Sequence, residues 1–194
     1  MVRIGVVVGS TRPGRKADVV ARWVRDLAAK RADLTVELVD IADYRLPHFD
    51  EVLPPSMAPS TRPAVRRWAA TVAGFDGFVF VTPEYNHSIP GALKDAVDFL
   101  FQEWQHKSAG LVSYGVHGGT RAAEHLRLVL GQLGVADVRS QVALSLTTDF
   151  VNFRDFRPAA HHEQALGTML DEVIAWAGAL RTLRQRPVRL AESP

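Results

Sequence analysis

RIGVVVGSTRPGRKADVVARWVR, residues 3–25, changes its periodicity twice. Residues 4–8 are apolar and, apart from Gly5, β-branched, which suits a strand buried on both faces. The pattern breaks at Gly9-Ser10-Thr11-Arg12-Pro13-Gly14-Arg15. From Ala17 onward Val20, Trp23, Val24, Leu27 and Ala28 recur on one helical face, with Arg22, Arg25 and Asp26 off it. A strand, a short polar loop and a helix make the opening of an α/β phosphate site. The helix start offers unpaired N–H groups and the positive end of its dipole, and Ser10 and Thr11 add hydroxyls. Arg12 and Arg15 suit an anion with more than one charge. The plainer alternative is a connection whose Ser and Thr only cap the helix.

The same loop excludes two nucleotide motifs. Gly9 and Gly14 have the spacing of a P-loop, but Arg15-Lys16 stand where that motif needs Lys followed by Ser or Thr. No hydroxyl is then placed for magnesium, which argues against nucleoside triphosphate hydrolysis. GSTRPG also departs from the GxGxxG dinucleotide fingerprint.

Composition narrows the classes further. At 194 residues the chain suits one domain with a substantial core, and its 47% hydrophobic content is ordinary for a globular protein. With 23 basic and 21 acidic residues the charge balance argues against a nucleic-acid partner held by charge. Arg181, Arg184, Arg186 and Arg189 are read as a solvated, basic tail over about 184–194. The absence of cysteine excludes disulfides, thiolate metal sites and a Cys nucleophile. His161-His162-Glu163 lack HExxH spacing and point apart on a helix, so they read as a solvated first turn and no metal site is expected. No apolar run reaches membrane-spanning length, and the first strand follows Met1 at once, so a cytoplasmic protein without a membrane partner is expected.

Along the chain strands and helices alternate. Strands are expected near 35–40, 77–82, 109–114 and 139–144, and helices near 63–73, 92–101, 120–133 and 158–183. Residues 41–62, with four prolines, read as a long irregular loop. Trp23, Trp68, Trp104 and Trp176 fall on apolar faces, as core or interface residues do. This alternation predicts an α/β flavodoxin-like three-layer sandwich whose five-stranded parallel sheet runs 2-1-3-4-5. In that topology a ligand sits beyond the carboxyl ends of strands one, three and four, where the loops at Gly9, Pro83 and Gly115 converge.

Each of the other two loops has a chemistry. In TPEYNHSIPG the prolines stiffen the backbone, while Tyr85 and Asn86 offer a flat face and an amide, as a flavin ring requires. In SYGVHGGTRAAEHL the glycines let the main chain approach a ligand, and the following helix aims N–H groups at the same space. Ser113 lacks the first glycine of a GxSxG nucleophile elbow, which argues against a hydrolase, and His117 reads as an exposed loop residue.

GSTRPGR, PEYNHSIPGALKDAVDFL and EWQHKSAGLVSYGVHGGTRA together resemble the NAD(P)H-dependent FMN reductase family, which includes small quinone, azo-dye and chromate reductases. The similarity runs over residues 2–144. It implies FMN as cofactor and NADPH or NADH as co-substrate, with hydride passing to the flavin and then, by ping-pong, to a quinone, free flavin, azo compound or similar acceptor. It implies a phosphate site at Ser10, Thr11, Arg12 and Arg15, a ring wall at Pro83, Glu84, Tyr85 and Asn86, and a pyrimidine-side loop at Ser113, Tyr114, Gly115, Gly118 and Gly119. It also implies a homodimer, or a tetramer of such dimers. No dedicated catalytic acid, base or nucleophile is needed, because the flavin carries the chemistry. Arg12 and Arg45 are candidates for the 2′-phosphate of NADPH, and Asp95 stands where the family usually has Asn. The rival reading is a flavin-binding electron carrier or redox sensor without turnover of its own; the chain lacks the acidic balance expected of a carrier.

Overall fold

The computed structural model describes residues 1–185. Five strands form one parallel sheet: β1 (Val2–Val8), β2 (Leu34–Asp40), β3 (Gly77–Pro83), β4 (Ser108–Gly115) and β5 (Ala136–Ser145), in the order β2-β1-β3-β4-β5. The expected topology is the one observed. Val8 pairs with both Asp40 and Val81, Pro83 with Tyr114 and Gly115 with Ser145, so the carboxyl ends finish along one edge.

The helices are α1 (Ala17–Ala28), α2 (Pro63–Ala73), α3 (Gly91–Asp98), α4 (Thr120–Gln132) and α5 (His161–Arg184). Strand alternation assigns them to two layers. Val79 and Val81 of β3 join Val20 and Val24 of α1 and Leu166 and Leu170 of α5. Phe78 and Phe80, one step out of phase, join Trp68 of α2, Leu93 of α3 and Leu126 of α4. Trp104 is fully buried between these rings, 5.8 Å from Trp68 and 5.0 Å from Phe78. Both indoles have partners, Trp68 Nε1 donating to Ala96 O (2.6 Å) and Trp104 Nε1 to Val97 O (3.1 Å). Truncating such a buried aromatic costs about 3–5 kcal/mol. Trp23 packs edge-on against Phe156, whereas Trp176 is half exposed.

Several elements depart from the sequence reading. The stretch 41–62 contains a 3₁₀ turn, Ile41–Tyr44, started by Asp40, whose carboxylate accepts the Ala42 N–H (2.9 Å). Asp95 ties the same stretch to α3 by accepting from Phe49 N–H (3.0 Å) and bonding His48 Nδ1 (2.9 Å). Helix α3 ends at Asp98, three residues early, because the chain turns there to seat Trp104. A two-stranded hairpin, β6 (Phe150–Val151) and β7 (Asp155–Phe156), precedes α5 and was not anticipated.

His162 is buried rather than solvated. Its Nε2 lies 3.0 Å from Asp149 Oδ1, and Asp149 also accepts the N–H groups of Ser145 (2.8 Å) and Ala159 (3.1 Å). Burial works against that carboxylate's charge, but these donors and His162 hold its pKa below the ordinary range. Arg181 and Arg184, expected in a free tail, close the opposite edge of the sheet on Asp76, at 3.2 and 2.5 Å. Arg186 and Arg189 lie outside the described residues.

Beside Asp76, Lys107 is buried and donates to Val72 O at the carboxyl end of α2 (2.6 Å). Burial, then the charge of Arg184, push its pKa down to about 8, against the pull of Asp76 and Glu103. The folded protein therefore binds this proton less tightly than the unfolded chain, and the stability tied to Lys107 rises as pH climbs from about 8 towards 10.5. The stability of the wild type relative to Lys107→Met, measured by urea unfolding, should be flat below pH 8 and climb above it. No pH dependence of that difference would refute the assignment.

Candidate active site

Three loops cover the carboxyl edge. After β1, Gly9 N–H donates to Val81 O (2.8 Å), and a Cβ on Gly9 would stand 2.7 Å from that oxygen, so the loop can leave the sheet this closely only with glycine there. Ser10 is fully buried and its Oγ lies 2.9 Å from Tyr85 Oη, joining the first loop to the second. Arg15 folds inward: Nη1 donates to Ser10 O (2.5 Å) and Asp40 Oδ1 (3.1 Å), Nη2 pairs with Asp40, and Nε bonds Asp18 (2.6 Å). Its side chain is only 13% exposed. Burial alone would lower its pKa, but Asp40 and Asp18 more than offset this and keep it charged. Arg12 turns the other way, exposed, with its guanidinium 6.0 Å from the Tyr85 ring.

The second loop is strained. Tyr85 and Ser88 exchange backbone hydrogen bonds (2.9 and 3.1 Å) across Asn86 and His87, whose φ values are 48° and 75°. Two successive left-handed non-glycine residues cost of order 1–3 kcal/mol each. Glu84 N–H is held by Tyr114 O (3.0 Å), and its carboxylate, 8% exposed, pairs with Arg121 Nη2 (2.5 Å). Glu84 Oε2 and Arg121 Nε are buried without a hydrogen-bond partner. A buried carboxylate oxygen left unpaired is costly, so it marks a place where a donor belongs.

In the third loop, Ser113 Oγ donates to Gly118 O (2.7 Å), which makes Ser113 a brace within the loop. Gly119 has φ 67°, and a Cβ there would meet Tyr114 N at 2.7 Å. Burial, with Tyr85 next, pushes the Tyr114 phenol above its ordinary range against an opposing Ala17 N–H, so it stays neutral. Helices α1, α3 and α4 all begin at this edge, and in none does the N-cap residue's own side chain bond the first turn.

A cavity of about 210 Å³ lies between the loops, lined by Arg12, Gly14, Arg15, Lys16, Pro83, Glu84, Tyr85, Tyr114, Gly115 and Leu146. Its lining combines the cations Arg12 and Lys16 at the start of α1 with the tyrosines and Glu84, and Arg12 lies within 6.0 Å of the Tyr85 ring. Of the sequence-predicted residues, Arg12, Arg15, Pro83, Glu84, Tyr85, Tyr114 and Gly115 meet here. Ser10, Ser113, Gly118 and Gly119 are buried in the frame, Asn86 is exposed on its turn, and Thr11 lines a different cavity. His117 is exposed, as read. Lys16, Arg121 and Leu146 were not anticipated. Lys16 and Arg121 adjoin motifs already recognised, whereas nothing local marks Leu146. Among the described residues no group of three His, Asp or Glu side chains is placed to hold a metal, and no helix is long and apolar enough to cross a membrane.

Comparison with known proteins identifies relatives of the chain. An NAD(P)H-dependent FMN reductase of Nectria sp. is 38% identical over 159 residues, covering 77% of this chain and 79% of its own. One from Schizosaccharomyces pombe is 36% identical, covering 86% and 84%, and the quinone reductase of Escherichia coli K12 is 35% identical, covering 66% and 69%. The solved structure of a flavoenzyme NAD(P)H:(acceptor) oxidoreductase from Paracoccus denitrificans shares the fold with a TM-score of 0.72, at 22% identity over 92% of this chain and 98% of that one. The family described as NADPH-dependent FMN reductase matches residues 2–149, from the first strand through the loop that follows the fifth, and the chain belongs to that family.

Proposed function

We propose that this chain is an FMN-dependent NAD(P)H oxidoreductase that passes electrons to a small acceptor such as a quinone, a free flavin or an azo compound. The observation that carries the reading is the cavity between the three loops, which sets Arg12, Lys16 and the start of α1 beside a rigid wall of Pro83, Tyr85 and Tyr114. FMN has the matching parts, a phosphate and a flat ring.

Arg12, Lys16 and the first N–H groups of α1 would hold the phosphate. Arg15 is committed to Asp40, Asp18 and Ser10, so its part is to set the shape of the loop that does the holding. Pro83 and Tyr85 would wall the ring, with Glu84, held by Arg121, beside them. Arg121 and the start of α4 place positive potential beside it. When bound, FMN supplies the hydride acceptance and release that no side chain here can. One open cavity serves reductant and acceptor in turn, which makes the kinetics ping-pong.

The purified protein should be yellow, release FMN on denaturation and bleach on addition of NADPH without air. A colourless protein that fails to bind added FMN would remove the reading. Steady NAD(P)H oxidation by the isolated protein separates an enzyme from a carrier or sensor.

The two arginines should separate in behaviour. Arg12→Ala should leave the melting temperature of the flavin-free protein unchanged and weaken FMN binding about tenfold or more, the loss of one charge-assisted contact. Arg15→Met should destabilise the flavin-free protein by about 1–3 kcal/mol, because it leaves Asp40 partly buried and unpaired. Equal effects of the two on flavin-free stability would contradict the division of labour.

A further inference from the structure

A second cavity, of about 320 Å³, lies on the other side of the loop after β1, lined by Thr11, Ile41, Ala42, Arg45, Leu46 and Ala92. Its volume lies within the range of small-molecule sites. Consecutive residues separate the two spaces: Arg12 lines the first cavity and Thr11 the second, so one extended ligand could occupy the second while its other end reaches the mouth of the first. We propose that this second cavity is the subsite for the adenosine 2′-phosphate portion of NADPH, with Arg45 as the residue that selects the phosphate. The inference rests on the oxidoreductase reading above and adds to it where the reductant is gripped and why one nicotinamide nucleotide is preferred.

Five features support this. The lining formed by Ile41, Ala42, Leu46 and Ala92 is apolar, as the face of a purine requires. Arg45 is exposed, and among the described residues its guanidinium has no hydrogen-bond or ion-pair partner, unlike Arg15 and Arg121 nearby. Its backbone is fixed at φ 49° as the residue closing the 3₁₀ turn, its N–H bonded to Ala42 O (3.4 Å). The turn therefore fixes the point from which the side chain leaves the backbone. Of the two carboxylates in and beside the turn, Asp40 is occupied by Arg15 and Ala42 N–H, and exposed Asp43 makes no ion pair with Arg45. A free carboxylate at the end of β2 would instead accept from a ribose 2′-hydroxyl and repel a 2′-phosphate. The start of α3, where Pro90 offers no capping side chain, adds N–H donors beside Ala92 of the lining.

The test uses the FMN-loaded protein with adenosine 2′,5′-bisphosphate and 5′-AMP as probes in titration calorimetry, beside steady-state kinetics. Arg45→Asn removes the charge while tolerating the left-handed backbone, and Arg45→Lys retains the charge. The wild type should bind the bisphosphate at least tenfold more tightly than AMP, and Arg45→Asn should abolish that difference. The same variant should raise KM for NADPH about tenfold, leave KM for NADH, kcat and FMN affinity unchanged, and be partly rescued by Arg45→Lys. Equal affinity of the wild type for the two probes, or an unchanged NADPH KM in Arg45→Asn, would overturn the proposal. Should the protein bind the bisphosphate through Arg45 yet never bind FMN, the second site would stand and only the flavin reading would fall.

Discussion

One guanidinium organises the edge of the sheet where the chemistry is placed. Arg15 joins the end of β2 through Asp40, the first turn of α1 through Asp18 and the loop after β1 through Ser10 O. Because it is nearly enclosed, removing either side would leave a charge in a poorly hydrated place, which is far more costly than losing an exposed pair. The bond therefore acts as a fixed post. Around it the loop must present Arg12 to one side and Thr11 to the other, and the two cavities follow from that division.

The framework was legible because each part of it is written locally. The run from Ile4 to Val8 and the alternation of Phe78, Val79, Phe80 and Val81 announce strands covered on both faces, and connections between parallel strands leave few topologies. The three loops could be found for the same reason, since each follows a strand whose order in the sheet was predictable. What each side chain does within those loops was less legible. Arg15 looked like a ligand residue because its partner, Asp40, lies twenty-five positions away on another strand. Ser113 looked like a contact and is a brace, and His162 looked solvated although Asp149 folds back over it. These pairings are set by the fold and are not written in residue type.

The second loop makes the opposite point. Its turn puts Asn86 and His87 into a left-handed backbone that glycine would adopt without cost, and only reciprocal bonds between Tyr85 and Ser88 and the adjoining frame hold it there. Gly119 resolves a similar constraint with the residue that fits. The strained turn stands next to Glu84, whose carboxylate is held by Arg121.

Asp149 gives the molecule a property that no single loop has. It binds the end of β5, the chain just ahead of α5 and, through His162, the first turn of α5, while Leu146 a few residues earlier lines the cavity. One buried carboxylate thus ties the strand end beside the cavity to the first turn of the longest described helix, so neither can move without breaking bonds to the other.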